Sequence, residues 1–161
     1  MIPNENPSEL ETIRHSCAHL MAQAVQELFP GTQVTIGPVI EDGFFYDFSR
    51  KEAFIPEDLE KIEKRMKELA AADTPIVRSE ISREEAIKKF GDMGETFKVE
   101  IIEGIDPNEP ITLYSQGDWG DLCGGPHVES TKKIKAFRLL HTSSAYWRGD
   151  ERNPVLQRIY G

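Results

Sequence analysis

The stretch from Ser8 to Gly31 constrains this chain more than any other. Ser8 suits a helix N-cap, and Glu11 three residues on makes a capping box. Pro30-Gly31 is a stop signal. At about 100° per residue, Ile13, Cys17, Leu20, Met21, Ala24 and Leu28 form one apolar stripe, which predicts a helix to about Phe29 with a broad buried face. His15, His19, Ala22 and Gln26 lie roughly opposite. Two histidines four apart share one face, one turn above the other. Ala22 continues that face and should leave room for a ligand, whereas Cys17 points away and reads as core.

The remaining elements are shorter. Residues 1–8, with Pro3 and Pro7, are expected to be a flexible lead-in. Thr32 to Ser49 reads as strand, turn, strand, broken at Gly37-Pro38 and turning at Glu41-Asp42-Gly43. Its second strand puts Phe44, Tyr46 and Phe48 on one face, and Phe45 and Asp47 on the other. Tyr46 is either a core aromatic or a hydroxyl presented to a pocket. A second helix begins near Pro56, burying Leu59, Ile62, Met66, Leu69 and Ala70. Strands are expected over Pro75–Ile81, Phe97–Ile102, Ile111–Ser115 and Lys135–Thr142, with a short closing strand over Val155–Tyr160. In the second of these, Lys98 reads as solvated, on the face opposite Phe97, Val99 and Ile101. Ser82 and Glu85 cap a short helix ending near Phe90. Residues 116–127 are glycine-rich and expected to be irregular. The fold class is α+β: an antiparallel sheet with the long first helix and the second helix packed on it.

Bulk properties exclude several classes. A length of 161 residues fits one domain with a hydrophobic core. No apolar run approaches membrane-spanning length, and the N-terminus lacks the basic and apolar regions of a signal peptide, so the expectation is a cytoplasmic protein with no membrane partner. Two cysteines are too few for a disulfide scaffold. Residues 1–130 carry 12 Lys or Arg against 26 Asp or Glu, while residues 131–161 carry 7 against 2. An acidic body of this kind is not a free-standing, tight nucleic-acid binder.

The chemistry-bearing residues fall in two pairs. His15 and His19 sit on the first helix; Cys123 and His127 flank Gly124-Gly125-Pro126. The four together are a possible zinc set. A tetrahedral ion held by all four would leave no position for an activated water. The metal-free alternative is a hydrolytic pocket. There His15 orders water or engages a substrate hydroxyl, Lys98 stabilises developing negative charge, and Asp121 holds a histidine or a substrate ammonium. In this version Cys123 is close by without ligating. No nucleophile elbow, phosphate loop or dinucleotide fingerprint is present.

Five stretches resemble the editing domain, the second N-terminal domain, of bacterial-type threonyl-tRNA synthetases. They are Arg14-His15-Ser16-Cys17-Ala18-His19, Ile36-Gly37-Pro38-Val39-Ile40, Gly43-Phe44-Phe45-Tyr46-Asp47, Cys123-Gly124-Gly125-Pro126-His127-Val128 and Ala145-Tyr146-Trp147-Arg148-Gly149-Asp150. The resemblance covers roughly residues 9–161. Leu156 to Gly161 is similar to the junction into the synthetase's catalytic domain, which implies an excised part of a longer protein rather than a free-standing deacylase. Alanyl-tRNA editing domains are relatives that typically hold zinc, but Pro126 stands where they usually have threonine. The resemblance implies hydrolysis of mischarged seryl-tRNA(Thr) at the tRNA 3′ end, sparing threonyl-tRNA(Thr), with the remaining synthetase domains as partners. It implies His15 and Lys98 as catalytic residues and His19, Tyr46, Asp121, Cys123 and His127 as the substrate-binding wall. It implies no cofactor; were zinc present, His15, His19, Cys123 and His127 would hold it. The competing readings are a zinc-dependent alanyl-type deacylase and a non-catalytic tRNA-binding module.

Overall fold

The computed structural model describes residues 8–161. Residues 1–7 of the expected flexible lead-in lie outside the described residues; Ser8 caps the first helix. That helix, α1 (Glu9–Leu28), starts where the Ser8 hydroxyl accepts from the Glu11 amide at 3.1 Å. Such a cap contributes about 1 kcal/mol. After the helix the chain turns at Gly31, whose φ of 88° suits glycine.

The next stretch forms one strand edge in two pieces, β1 (Gln33–Val34) and β2 (Val39–Ile40), both antiparallel to β3 (Gly43–Ser49). α2 (Pro56–Ala71) follows. At the far end of the chain lie β7 (His141–Tyr146) and β8 (Val155–Tyr160). The five strands make one antiparallel sheet ordered β1-β3-β8-β7, with β2 also on β3. Period 2 holds in β3: Phe44, Tyr46 and Phe48 are buried against α1 and α2, with Leu20, Met21, Ile62, Met66 and Ile159. The outward Asp47 is also buried, gripped by Arg158 through bonds of 2.8 and 3.0 Å.

A second sheet stands apart from the first. β4 (Ile76–Ile81), β5 (Ile111–Gln116) and β6 (Trp119–Leu122) pair antiparallel in that order. Two helices, α3 (Arg83–Asp92) and α4 (Thr96–Gly104), cover it through Ala86, Phe90, Ile102, Ile111, Leu113 and Leu122. The single sheet expected from the sequence is therefore two, within the α+β class.

Three local expectations need correction. Phe97–Ile102 is helix, not strand. Its alternating pattern is also a helical one: Lys98 and Ile102 are buried four residues apart, as Phe97 and Ile101 lie four apart against Trp147. Packing overrides the strand propensity of Val99, Ile101 and Ile102. Arg83 holds the helix end, donating to the carbonyls of Ile102 at 3.0 Å, Glu103 and Ile105. The stretch 116–127 is not irregular throughout, because Gly117-Asp118 turns the chain into β6. The strand expected at Lys135–Thr142 begins only at His141, since its partner β8 ends at Tyr160, opposite His141. Phe137 and Leu139 still face the core. β8, the strand expected at Val155–Tyr160, forms with those bounds and lies between β3 and β7.

The break between β1 and β2 frees one backbone carbonyl. The Asp47 amide donates to the Ile36 carbonyl at 3.0 Å, and the Asp47 carbonyl accepts from the Thr35 amide at 3.1 Å. The Thr35 carbonyl is left to point at α4. At the break Gly37 lies flat on the Tyr46 ring, and a Cβ there would overlap that ring. Gly37→Ala is expected to lower stability by about 1–3 kcal/mol through overpacking. A urea titration checks this: the midpoint falls while the slope stays unchanged.

Candidate functional site

The two sheets meet at a buried polar network. Lys98, on α4, is 2 % exposed and donates to the Thr35 carbonyl at 2.6 Å and to the Tyr46 hydroxyl at 3.2 Å. Its third partner is the Asp121 carboxylate. Asp121, on β6, also accepts from the Tyr46 hydroxyl at 2.5 Å and from the Leu122 amide at 2.8 Å. The solvated strand lysine read from the pattern is thus a buried helical lysine whose three N–H directions are all used. Tyr46 resolves as a core aromatic whose hydroxyl ties the ion pair together. Burial and the neighbouring Asp121 charge hold that phenol well above its ordinary pKa.

The histidine cluster adjoins this network. His19 Nε2 lies 3.6 Å from Asp121. Cys123 directly follows β6, and its amide donates to the Thr112 carbonyl at 3.2 Å, while the Thr112 hydroxyl donates back to the Cys123 carbonyl. Gly125, at φ 74°, bends the next turn so that its amide donates to Cys123 Sγ at 3.2 Å. The sulfur lies 3.2 Å from His15 Nε2 and 3.1 Å from His127 Nε2. The His127 ring stacks on His15 and lies tilted against His19, with centroids 4.3 Å apart in each case.

Burial decides the protonation of this cluster. Desolvation lowers His15, opposed by the Pro126 carbonyl and the Asp121 charge. It lowers His19 and His127 far more strongly, helped by the neighbouring imidazoles. All three rings are neutral at pH 7. Burial pushes the Cys123 thiol up to about 12, so it is not a poised thiolate nucleophile.

A cleft of about 530 Å³ opens onto these groups. His15, His19, Lys98, Asp121 and Cys123 line it, together with the β1–β2 break from Thr35 to Val39. All seven residues expected at the site converge, with Tyr46 and His127 standing behind the lining. The space expected beside Ala22 is absent. Ala22 is fully buried, and the Trp119 ring closes the position beyond His19 at 5.6 Å. Trp119 is held by a 2.7 Å bond to Gln26. The cleft lies toward the N-terminal turn of α1 instead, beside Glu11 and Thr12.

His15, His19, Cys123 and His127 offer ligand atoms all within 4.8 Å of one another. Tetrahedral zinc with bonds of about 2.0–2.3 Å spaces its ligands roughly 3.3–3.7 Å apart, so the donor set fits after a small contraction. Neutral imidazoles suit such an ion, and the thiol would have to lose its proton. Cys17 is buried on the other side of α1, and both cysteines are free. Among the described residues no helix is long and apolar enough to cross a membrane.

Sequence reasoning missed Ser16, Thr35 and Glu95. Ser16 is fully buried and bonded to His127 Nδ1 at 3.0 Å. Its place between two singled-out residues is the only signal it gave. Thr35 acts through its backbone, which leaves no trace in residue type. Glu95 accepts from Gln26 and from the Val34 amide, clamping the start of α4 to α1 and β1.

Comparison with known proteins bears on this arrangement. Residues 111–160 match the family described as the threonyl and alanyl tRNA synthetase second additional domain. The whole chain aligns with "Threonine--tRNA ligase" of Rhodospirillum rubrum at 59 % identity over 162 residues. The proteins of the same name from Thiobacillus denitrificans and Maricaulis maris are 58 % and 59 % identical. The chain spans about a quarter of the length of these relatives.

Two outcomes are expected from the buried groups. Lys98→Met or Asp121→Leu alone leaves an uncompensated buried charge and should cost about 3–5 kcal/mol. The double variant should cost clearly less than the two single variants together, which a double-mutant cycle by denaturant titration reads. The imidazoles set an acid limit. Their folded pKa values lie below the unfolded value of 6.5, so the unfolded chain binds more protons as pH falls. Stability present above that value should decline below it, by up to about 1.4 kcal/mol per pH unit for each ring. His127→Gln should make the decline shallower by about one proton in unfolding measured from pH 7 to 4.

Proposed function

We propose, taking the chain as the second additional domain of a threonine–tRNA ligase, that its cleft hydrolyses the ester joining serine to the 3′ end of mischarged tRNA(Thr) and spares threonyl-tRNA(Thr). Residues 9–161 form this editing unit. The observation that carries the reading is the fixed Lys98–Asp121 pair opening, beside His15, into a cleft large enough for an aminoacylated nucleoside end.

The reaction needs water added to the ester carbonyl, stabilisation of the oxyanion, and departure of the ribose oxygen. His15 is half-buried and lines the cleft, and its imidazole is neutral and therefore able to accept a hydrogen from the attacking water. Lys98 acts as a fixed charge, because its donors are already satisfied: its field stabilises the developing oxyanion without reorganisation. Asp121 offers a carboxylate to the substrate ammonium, with its geometry held by Tyr46 and the Leu122 amide. His19, Cys123 and, behind them, His127 complete the wall. The proton taken up at His15 returns to the leaving ribose oxygen, giving free serine and free tRNA.

A zinc ion bound by His15, His19, Cys123 and His127 would supply structural cross-linking, since four protein ligands leave no open position. Hydrolysis by His15 and Lys98 uses none. Recognition of the tRNA body falls to other parts of the longer protein, in keeping with a net charge of −9 here. The setting is the cytoplasm, where tRNA is charged. Serine differs from threonine by one methyl group, which a single binding step separates by only about 1–3 kcal/mol. A second, hydrolytic pocket is the chemical answer to that limit.

The test is deacylation of seryl-tRNA(Thr) and threonyl-tRNA(Thr) by this chain, with and without EDTA. Serine should be released quickly and threonine slowly, and chelation should change nothing. His15→Ala and Lys98→Ala should each lower the rate by about 10²–10⁴-fold. Equal hydrolysis of both esters, or loss of activity with EDTA, overturns the proposal.

A further inference from the structure

Ser16 sits inside the first histidine motif but faces the second. Its Oγ lies 3.0 Å from His127 Nδ1 and accepts from the Val128 amide at 3.0 Å, across more than a hundred residues of chain. The residue is fully buried. No side-chain bond joins Ser16 to His15 or His19, so its hydroxyl serves the loop that carries His127.

A serine hydroxyl has one proton and two lone pairs. The Val128 amide proton takes one lone pair. Two arrangements remain for the Ser16–His127 bond. If His127 Nδ1 carried the ring proton, the Ser16 proton would have no acceptor at a buried position, an arrangement native interiors avoid. If Nδ1 is bare, it accepts the Ser16 proton and every group is satisfied. The ring proton then sits on Nε2, which faces Cys123 Sγ at 3.1 Å.

The consequence passes along the cluster. Cys123 Sγ accepts from His127 Nε2 and from the Gly125 amide at 3.2 Å. Its own proton is left for His15 Nε2, 3.2 Å away. His15 Nε2 is then the bare nitrogen, and Nδ1 carries the ring proton. A thiol is a weak donor. A water molecule in the cleft can replace it at His15 Nε2, which is the atom a general base must present.

We propose that Ser16 is a positioning residue: its hydroxyl fixes His127 as the Nε2–H tautomer and, through the Cys123 thiol, leaves His15 Nε2 bare toward the cleft. The role in turnover rests on the deacylase reading; the tautomers do not.

The test uses the chain labelled with ¹⁵N at histidine, in EDTA at pH 7. Long-range ¹H–¹⁵N spectra should show His127 bare at Nδ1 and protonated at Nε2, and His15 with the reverse pattern. A protonated His127 Nδ1, or a His15 protonated at Nε2, overturns the proposal. In Ser16→Ala the His127 pattern should change to a mixture, and kcat for seryl-tRNA(Thr) should fall about 10-fold or more with a smaller change in KM. Ser16→Thr, which keeps the hydroxyl, should restore the His127 pattern and most of the rate. An unchanged His127 pattern in Ser16→Ala overturns the role of the hydroxyl. Should Ser16→Ala fail to fold, the wild-type tautomers still decide. Correct tautomers in a chain without deacylase activity would count against the deacylase reading and leave the Ser16 assignment standing.

Discussion

The contact that the structure depends on is the buried bond between Lys98 and Asp121. Removing an ammonium and a carboxylate from water costs several kcal/mol per ion, and their attraction offsets this only when the geometry is right and the remaining donors and acceptors are filled. Here the filling comes from three places. Tyr46 from β3 serves both ions, the Leu122 amide from β6 serves Asp121, and the Thr35 carbonyl from the broken edge serves Lys98. One sheet supplies Tyr46 and Thr35, the other supplies Asp121, and α4 lies between them. The apolar core of each sheet would tolerate small shifts of one against the other. The ion pair would not, so the junction is fixed by polar groups rather than by packing.

That junction explains the character of the adjoining cleft. Its groups are one compensated charge pair, three neutral imidazoles and one protonated thiol. None is a strong free nucleophile. Such a collection is suited to orienting water and a small polar substrate. It is poorly suited to covalent catalysis, which would call for a lowered thiol pKa. The same neutrality makes the cluster a fair metal cage, because neutral imidazole is the ligating form. The proposed hydrolysis without metal and a structural zinc therefore draw on one arrangement of side chains, and chelation separates them.

The sequence displayed the long helix and both residue pairs because each rests on a local rule. Capping, the apolar stripe and i,i+4 spacing need no tertiary information, and α1 follows them from Ser8 to Leu28. The errors fall where tertiary context decides. Phe97–Ile102 fits period 2 and period 3.6 about equally, and only the sheet beneath it selects the helix. With that helix unrecognised, Lys98 looked solvated. The two-sheet division was hidden because antiparallel strands with a similar pattern do not announce which neighbours they pair with. The family resemblance placed Tyr46 at the site when pattern left it open, and strengthened Lys98 and Asp121, which were already candidates for a hydrolytic pocket. It did not say how they are held; that rests on a backbone carbonyl at Thr35 and the bare Cα of Gly37.

The proposed discrimination of serine from threonine by one methyl group demands a wall that moves less than the size of that group. A wall made only of loops would flex by more, since connecting segments are the mobile part of most folds. Much of the lining here comes from residues whose donors or acceptors are already committed elsewhere. Lys98 has no idle N–H, and Asp121 is held from three sides. The edge from Thr35 to Val39 is pinned by its bonds to Asp47 and by Gly37 pressed against Tyr46. The bonds that stabilise the sheet junction therefore also set the tolerance of the pocket. A substitution that loosened the Lys98–Asp121–Tyr46 network would blur the proposed selectivity before it unfolded the domain, because the first displacement it permits is of the wall itself.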